Sequence, residues 1–198
     1  MGKVILLTGA PGTGKSTLRH ALGARIPGLQ HFDYGQLLLR RKHREGTEVS
    51  YEELREQSSA IISTSDVTST DDWVISEINR LRQDSDVVID SHALTREAYG
   101  FRAIAYSKTQ LDTLQLDAVI VLRADADTLI GRVKLDPRGR REMTTELARE
   151  IQVLQESLSL TYAVVCACPL FVIDSTHATA QEVVDTAMQL LDQVGVAR

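Results

Sequence analysis

The chain has 198 residues, of which 43% are hydrophobic and 25% are charged, and its formal net charge is −5. This balance is typical of one globular domain, and we find no repeat, low-complexity tract or composition shift that would mark a second domain within 1–198. The acidic charge argues against a large nucleic-acid-binding surface, although a local basic patch is not excluded. No apolar run reaches the roughly 20 residues of a membrane span, and two cysteines suit a reducing compartment. We therefore expect a cytoplasmic protein that does not enter a membrane; its oligomeric state stays open.

The first chemical signal is a glycine-rich turn between a predicted strand and a predicted helix. The apolar run from Lys3 to Thr8 predicts a buried strand, and residues 9–16 then match G-x-x-x-x-G-K-[ST] at every fixed position. Glycines let the backbone approach a polyphosphate, and the amides at the following helix N-terminus carry partial positive charge. We predict ATP binding, with Lys15 on the β- and γ-phosphates and Ser16 on Mg²⁺. The predicted nucleotide-binding residues are Gly9, Ala10, Pro11, Gly12, Thr13, Gly14, Lys15, Ser16 and Thr17.

A weak strand signal follows at residues 28–33 and ends in Asp33. Asp33 would lie at the carboxyl edge of the sheet, where open α/β sheets bind ligands, or it would cap the next helix, and both roles are compatible. That helix leads into the basic run Arg40–Arg44. The run is either a solvated helix face or, through Arg40 in particular, a clamp for the phosphate of an acceptor.

The region of about 34–82 is predicted to be mostly helical. Ser50 and Glu53 have the spacing of a capping box, which predicts a helix from there to about Ser65. The small polar residues 63–70 predict a loop or a break before another helix. We expect Trp73, in that second helix, to belong to the core.

Two further apolar runs, at residues 86–90 and 117–122, predict buried strands. Asp90 ends the first of them, as a Walker-B carboxylate does, so we predict that it holds Mg²⁺ directly or through water. Ser91 and His92 extend into the same crevice, where His92 is either structural or a ligand contact. A last strand at residues 169–174 leads into Ser175 and Thr176.

Five cations fall within the ten residues 132–141. A run this basic does not pack in a core, and its plainest interpretation is a solvated loop. Phosphoryl transfer, however, requires arginines that close on the moving group. We therefore predict a mobile lid over about 132–143, in which Arg132, Arg138 and Arg140 take part in catalysis.

Strands and helices alternate along the chain, which predicts a parallel sheet with helices on both faces. The long helix that starts near Thr144 is expected to turn Ile151, Leu154, Leu158 and Leu160 inward. Because the polar residues described above all follow strands, they would gather along one edge of the sheet.

Taken together, these features resemble the nucleoside-monophosphate kinase group of P-loop proteins, and more closely the archaeal-type adenylate kinases. The resemblance rests on the loop at 9–16, on Phe32-Asp33-Tyr34-Gly35, on Val88-Ile89-Asp90-Ser91-His92, and on the arginine pattern before the long helix. It implies a three-layer α/β P-loop NTPase fold, with a five-stranded parallel sheet in the order 2-3-1-4-5. The implied reaction is reversible transfer of the γ-phosphoryl group of ATP to a nucleoside monophosphate.

By position, the resemblance also implies site residues. Asp174, Ser175 and Thr176 would lie near the adenine of the donor. The resemblance further implies a mobile acceptor-binding helical region over about 34–82. Apart from the resemblance, which Asp33 and the run Arg40–Arg44 do not match, positions at the strand ends and on the next helix predict that the acceptor contacts are Asp33, Gly35, Arg40, Ser91 and His92.

Two other functions stay open on the sequence alone. A P-loop kinase that phosphorylates a hydroxyl of a small metabolite or an RNA 5′ end needs a general base, and Asp33 is placed for that role. A nucleotide-dependent switch or assembly factor would use slow ATP hydrolysis to time a conformational change. A monophosphate acceptor needs no base, because its oxygen is already anionic, and Lys15, Mg²⁺ and the lid arginines would carry catalysis.

Overall fold

A five-stranded parallel sheet forms the centre of the computed structural model, which describes residues 1–50, 53, 64–97, 100–103, 106–136 and 143–196. In chain order the strands are β1 (Val4–Gly9), β2 (Gln30–Asp33), β3 (Val87–Asp90), β4 (Leu94–Glu97), β5 (Gly100–Ala103), β6 (Ala118–Arg123) and β7 (Leu170–Asp174). The main sheet has the order β2-β3-β1-β6-β7, and β4 pairs with β5 in a separate antiparallel hairpin. Counted along the chain, the five sheet strands lie in the predicted order 2-3-1-4-5, and the hairpin only shifts the numbering.

Helices cover both faces of this sheet. They are α1 (Lys15–Arg25), α2 (Tyr34–Arg44), α3 (Thr64–Leu81), α4 (Lys108–Leu114), α5 (Ala126–Lys134), α6 (Thr145–Cys166) and α7 (Ala180–Gln193). Alternate residues of β1 enter opposite cores because side chains alternate along a strand. Val4 and Leu6 pack with residues of α3, α4 and α6, whereas Ile5 and Leu7 pack with residues of α1 and α7. This confirms the predicted three layers, and none of the helices in the described ranges is long and apolar enough to cross a membrane.

The helical region between β2 and β3 differs in part from the sequence prediction. The capping box is present, since the Ser50 amide donates to Glu53 at 2.8 Å and the Glu53 amide donates to the Ser50 hydroxyl at 3.1 Å. The rest of the predicted helix at 51–63 falls outside the described residues. The predicted break at 63–70 is wrong from Thr64 onward, because α3 begins there. Packing of Val74 and Ile78, both fully buried, outweighs the weak helix propensity of the Ser and Thr residues.

Two predictions of core residues are also wrong. Trp73 is 52% exposed and Leu160 on α6 is 53% exposed. Two of the buried positions on α6 are instead polar: Gln155 donates a side-chain hydrogen bond to the Thr8 hydroxyl of β1, and the Ser159 hydroxyl donates to the Gln155 backbone carbonyl at 2.7 Å. A polar pair across the helix–sheet contact therefore sets the rotation of α6, which an apolar pattern alone does not reveal.

Candidate active site

The phosphate loop connects β1 to α1 through glycines in conformations that other residues rarely adopt. Gly12 and Gly14 have φ of 89° and 93°, in the left-handed region. A Cβ on Gly9 would lie 2.5 Å from the Leu122 carbonyl oxygen of the neighbouring strand, so only glycine fits there. A Cβ on Gly14 would meet nothing within 4 Å, so the space beside the loop is open.

The N-terminus of α1 opens into this space. Its N-cap is Gly14, no side chain of the described residues caps it, and its first turn carries no acidic residue. The first amides of a helix have no partner within the helix, and they attract anions through their partial positive charge. These residues therefore fit the phosphate tail of a nucleotide.

Lys15 and Asp90 form a buried ion pair at the centre of the site. The side-chain exposures are 8% and 6%, and Lys15 Nζ lies 2.7 Å from Asp90 Oδ1. The register between β1 and β3 pairs Leu7 with Asp90, which brings the carboxylate to the strand end beside the loop. Burial by itself raises the pKa of Asp90, but the charges of Lys15, His92 and Arg19 outweigh it and hold the pKa below its usual value. Asp90 is therefore an ionised carboxylate.

An ionised carboxylate and a hydroxyl are the oxygen donors that Mg²⁺ prefers. Asp90 and Ser16 thus fit the predicted metal, and their role as ligands stays a prediction. The two residues after Asp90 are tied to β1 and the loop. The Ser91 amide donates to the Leu7 carbonyl at 3.2 Å, whereas His92 Nδ1 lies 3.3 Å from the Gly9 carbonyl oxygen and Nε2 lies 3.5 Å from Lys15 Nζ.

Arg19 is a residue of the site that the sequence analysis missed. It lies one helical turn after Lys15, on the same face of α1, and its side chain is 10% exposed. Its Nη2 is 3.1 Å from Asp33 Oδ2, and its Nε is 3.0 Å from Asp90 Oδ2. The spacing of four residues from the loop lysine is the signal that would have found it.

A pocket of about 620 Å³ adjoins this network. Its walls come from α1, β2, α2 and α3. The residues that line it are Ser16, Arg19, His20, Gln30, His31, Phe32, Asp33, Gln36, Leu37, Arg40, Trp73, Glu77 and Leu81. Of the predicted acceptor contacts, Asp33 and Arg40 line this pocket, and Gly35, Ser91 and His92 do not.

Asp33 has both of the roles that its position suggests. Its Oδ1 accepts a 3.1 Å hydrogen bond from the Gln36 amide, so it caps α2, and its other oxygen faces Arg19. Trp73 of α3 also lines the pocket, and its ring centroid lies 6.4 Å from that of Phe32 in an edge-on arrangement. Desolvation and the charges of Arg19 and His20 lower the pKa of His31 in the same pocket, against the opposing effect of Asp33 and Asp90.

Arg132 and Ser175 hold the phosphate loop through hydrogen bonds to the carbonyls of Gly12 and Thr13. Arg132 lies on α5 and not in a loop; its Nη2 donates to the Ser175 carbonyl at 2.7 Å, and its Nη1 donates to the Ser175 hydroxyl at 3.0 Å. The Ser175 hydroxyl lies 3.0 Å from the carbonyl oxygens of Thr13 and Arg123. Arg138 and Arg140, with the rest of 137–142, lie outside the described residues.

The residues on either side of Ser175 connect β6 and β7. Asp174 Oδ2 is 3.2 Å from Arg123 Nε, and the Thr176 hydroxyl accepts from the Asp125 amide at 2.9 Å. Ser175 thus lies against the phosphate loop, whereas Asp174 and Thr176 contact Arg123 and Asp125. The contact of all three residues with the donor base stays a prediction.

Comparisons with known proteins agree with this geometry. The family model described as "AAA domain" matches residues 8–150. The adenylate kinase of Methanopyrus kandleri is 22% identical over 188 residues, covering 93% of this chain and 95% of that protein. The adenylate kinase of Thermococcus onnurineus is 22% identical over 192 residues, covering 96% and 95%. The unliganded crystal structure of a sugar kinase from Janibacter sp. HTCC2649 matches with a TM-score of 0.56 and 16% identity over 97% of this chain and 95% of that chain, which shows a shared fold.

Proposed function

The chain belongs to the AAA domain family and is a P-loop phosphotransferase, and on this premise we propose that it transfers the γ-phosphoryl group of ATP to a nucleoside monophosphate. The observation that carries the proposal is the pocket that shares Ser16 and Arg19 with the first turns of α1. An acceptor bound there would lie beside the phosphate tail of the donor. The similarity to adenylate kinases over 95% of their length supports the same acceptor class.

Each part of the site has a task in this reaction. Lys15 and the first amides of α1 hold the phosphate tail, and Ser16 and Asp90 would hold magnesium, which when bound supplies positive charge against the phosphates. Ser175 and Arg132 hold the loop carbonyls of Thr13 and Gly12 and so keep the loop in shape. Catalysis then depends on alignment and charge, because the phosphate oxygen of the acceptor needs no base.

The acceptor side supplies a cation and an aromatic wall. Arg40 lines the pocket and would bind the acceptor phosphate, while Trp73 and Phe32 offer ring surface to the base. Arg138 and Arg140 are proposed to contact the moving phosphoryl group.

A second candidate is phosphorylation of a hydroxyl, with Asp33 as general base. It is favoured by one observation: Asp33 lines the pocket and is oriented by Arg19 at 3.1 Å. A carboxylate in that position is able to accept the proton of a bound hydroxyl.

The test is a screen with γ-labelled ATP and magnesium against three sets of acceptors: all nucleoside monophosphates, hydroxyl metabolites, and an oligonucleotide with a 5′-hydroxyl. We expect label in a nucleoside diphosphate. Label in a hydroxyl compound alone would replace the proposal with the second candidate. Label released only as inorganic phosphate, with no acceptor labelled, would contradict both and indicate an ATP-hydrolysing switch.

A further inference from the structure

Arg19 lies between the two carboxylates that end adjacent strands. Asp33 and Asp90 are register partners on β2 and β3, so their backbones are direct neighbours in the sheet. Arg19 reaches Asp33 with Nη2 and Asp90 with Nε, and Asp90 in turn contacts Lys15. Four charges of alternating sign therefore run from the pocket to the phosphate loop: Asp33, Arg19, Asp90 and Lys15.

This row of charges is largely shielded from water. The side-chain exposures are 22% for Asp33, 10% for Arg19, 6% for Asp90 and 8% for Lys15. Like charges on neighbouring strands repel strongly in such a setting, and a cation between them offsets that repulsion. Arg19 alone, among the cations of the described residues, contacts both carboxylates at once.

The contact between Arg19 and Asp90 has a further feature. Nε lies 3.0 Å from the carboxylate oxygen, yet its N–H makes no hydrogen bond with the described residues. The contact is thus an ion pair without hydrogen-bond alignment. A buried arginine N–H without a partner is uncommon, so the position of Arg19 is set by its charge contacts with both carboxylates and not by the hydrogen bonds of Nε alone.

We propose that Arg19 is a positioning residue for phosphoryl transfer, which keeps Asp33 and Asp90 in fixed orientations and so aligns the acceptor pocket with the phosphate loop. The inference rests on the proposed function, because it assigns the pocket to the acceptor. Arg19 acts through its two carboxylate partners, and its replacement removes the cation that contacts both of them.

Three variants test this role. Arg19→Met removes the charge and keeps much of the stem, Arg19→Lys keeps a charge that cannot bridge two carboxylates in the same way, and Arg19→Met with Asp33→Asn removes the repulsion as well. The matched control is Arg25→Met on the same helix, whose arginine forms an ion pair with Asp185 at 2.6 Å. Transfer is measured with the nucleoside monophosphate that the wild type phosphorylates best, and donor binding is measured separately with a fluorescent ATP analogue and magnesium.

We expect Arg19→Met to lower kcat/KM for the acceptor by about 100-fold, the size of effect that a small misplacement of reacting groups produces. The dissociation constant of the ATP analogue should change by less than about threefold, since the groups that bind the phosphate tail are intact. The Lys variant should regain only part of the loss. The double variant should be about tenfold or more faster than Arg19→Met, because it no longer holds two opposed carboxylates.

Some results would overturn the inference. Kinetics of Arg19→Met that equal those of Arg25→Met would do so, as would equal losses in ATP binding and acceptor turnover, or a double variant no faster than Arg19→Met. If Arg19→Met does not fold, the comparison of Arg19→Lys with the double variant decides by the same criteria. If the wild type phosphorylates no nucleoside monophosphate, the proposed function is wrong. If the wild type is active and Arg19→Met is equally active, only this inference is wrong.

Discussion

The proposed donor and acceptor sides of the candidate site, called the donor side and the acceptor side below, are built in different ways. The donor side is one contiguous stretch, residues 9–16, with its lysine at the start of α1. The acceptor pocket takes its walls from α1, β2, α2 and α3, with residues as far apart in the chain as Ser16 and Leu81. The first is made mainly of backbone amides, and the second mainly of side chains.

The two sides are therefore expected to differ in how well they tolerate amino-acid substitution. A phosphate site made of backbone amides needs glycine at positions such as Gly9, where a Cβ would collide with the neighbouring strand. Few sequences therefore form such a site. A pocket of side chains changes its chemistry whenever one wall residue is replaced, while the sheet beneath it stays the same. The fold therefore indicates the class of the phosphoryl donor much better than it indicates the class of the acceptor.

The largest effect should come from the donor side. Lys15→Ala removes the buried ammonium that contacts Asp90 and is predicted to bind the phosphates, so we expect transfer to fall by about 10³-fold. A coupled assay for nucleoside diphosphate measures it. Lys108→Ala, at an exposed lysine of α4 paired with Asp112, is the control and should keep full activity. Wild-type rates in Lys15→Ala would remove the basis of the donor site.

On the acceptor side, Asp33→Asn separates the two candidate functions. With a nucleoside monophosphate as acceptor we expect turnover within about tenfold of wild type, because no proton has to be removed from the acceptor. A fall of about 10²–10⁴-fold would instead identify Asp33 as a general base for a hydroxyl. Asp112→Asn, at an exposed aspartate of α4, controls for the loss of a surface carboxylate.

Trp73 provides a direct probe of the acceptor pocket, because it is the only tryptophan of the chain and it lines this pocket. A stacked acceptor ring should change its fluorescence in a titration of the wild type. Trp73→Ala should raise the KM of the acceptor by about fivefold, as expected for the loss of an aromatic contact. Trp73→Phe, which keeps a ring, should restore most of it. An acceptor that is turned over without changing the fluorescence or this KM does not use the Trp73 wall.

The smallest effect on turnover should come from Ser175→Ala, which affects the support of the loop rather than its contacts with ligand. Ser175 is 3% exposed and its hydroxyl accepts from Arg132, so removing it should lower the free energy of unfolding by about 1–3 kcal/mol. Urea unfolding followed by circular dichroism measures the change. Ser157→Ala, at an exposed serine on α6, should change it by less than about 0.5 kcal/mol. Equal free energies of unfolding for the two variants would show that the hydrogen bonds of the Ser175 hydroxyl do not stabilise the fold.

Much of the donor side could be predicted from the sequence, because its determinants are local. The glycines and Lys15 lie within residues 9–15, and their spacing predicts the tight turn in which Gly12 and Gly14 adopt positive φ. Asp90 and Asp33 could be placed at strand ends because the apolar runs before them stop there, and parallel strands end at the same edge. The capping role of Asp33 likewise follows from its neighbours in sequence.

The side chains that line the proposed acceptor pocket could be identified only from the tertiary structure. Arg19 meets Asp33 and Asp90 across 14 and 71 positions of chain, and Trp73 turns to the pocket although its helix pattern is compatible with the core. The rotation of α6 is set by Gln155 and Thr8, which are 147 positions apart. In each case the position of the side chain is set by contacts with residues that are distant in the sequence. Local propensity and hydrophobic periodicity describe only neighbours along the chain, so they do not predict such contacts.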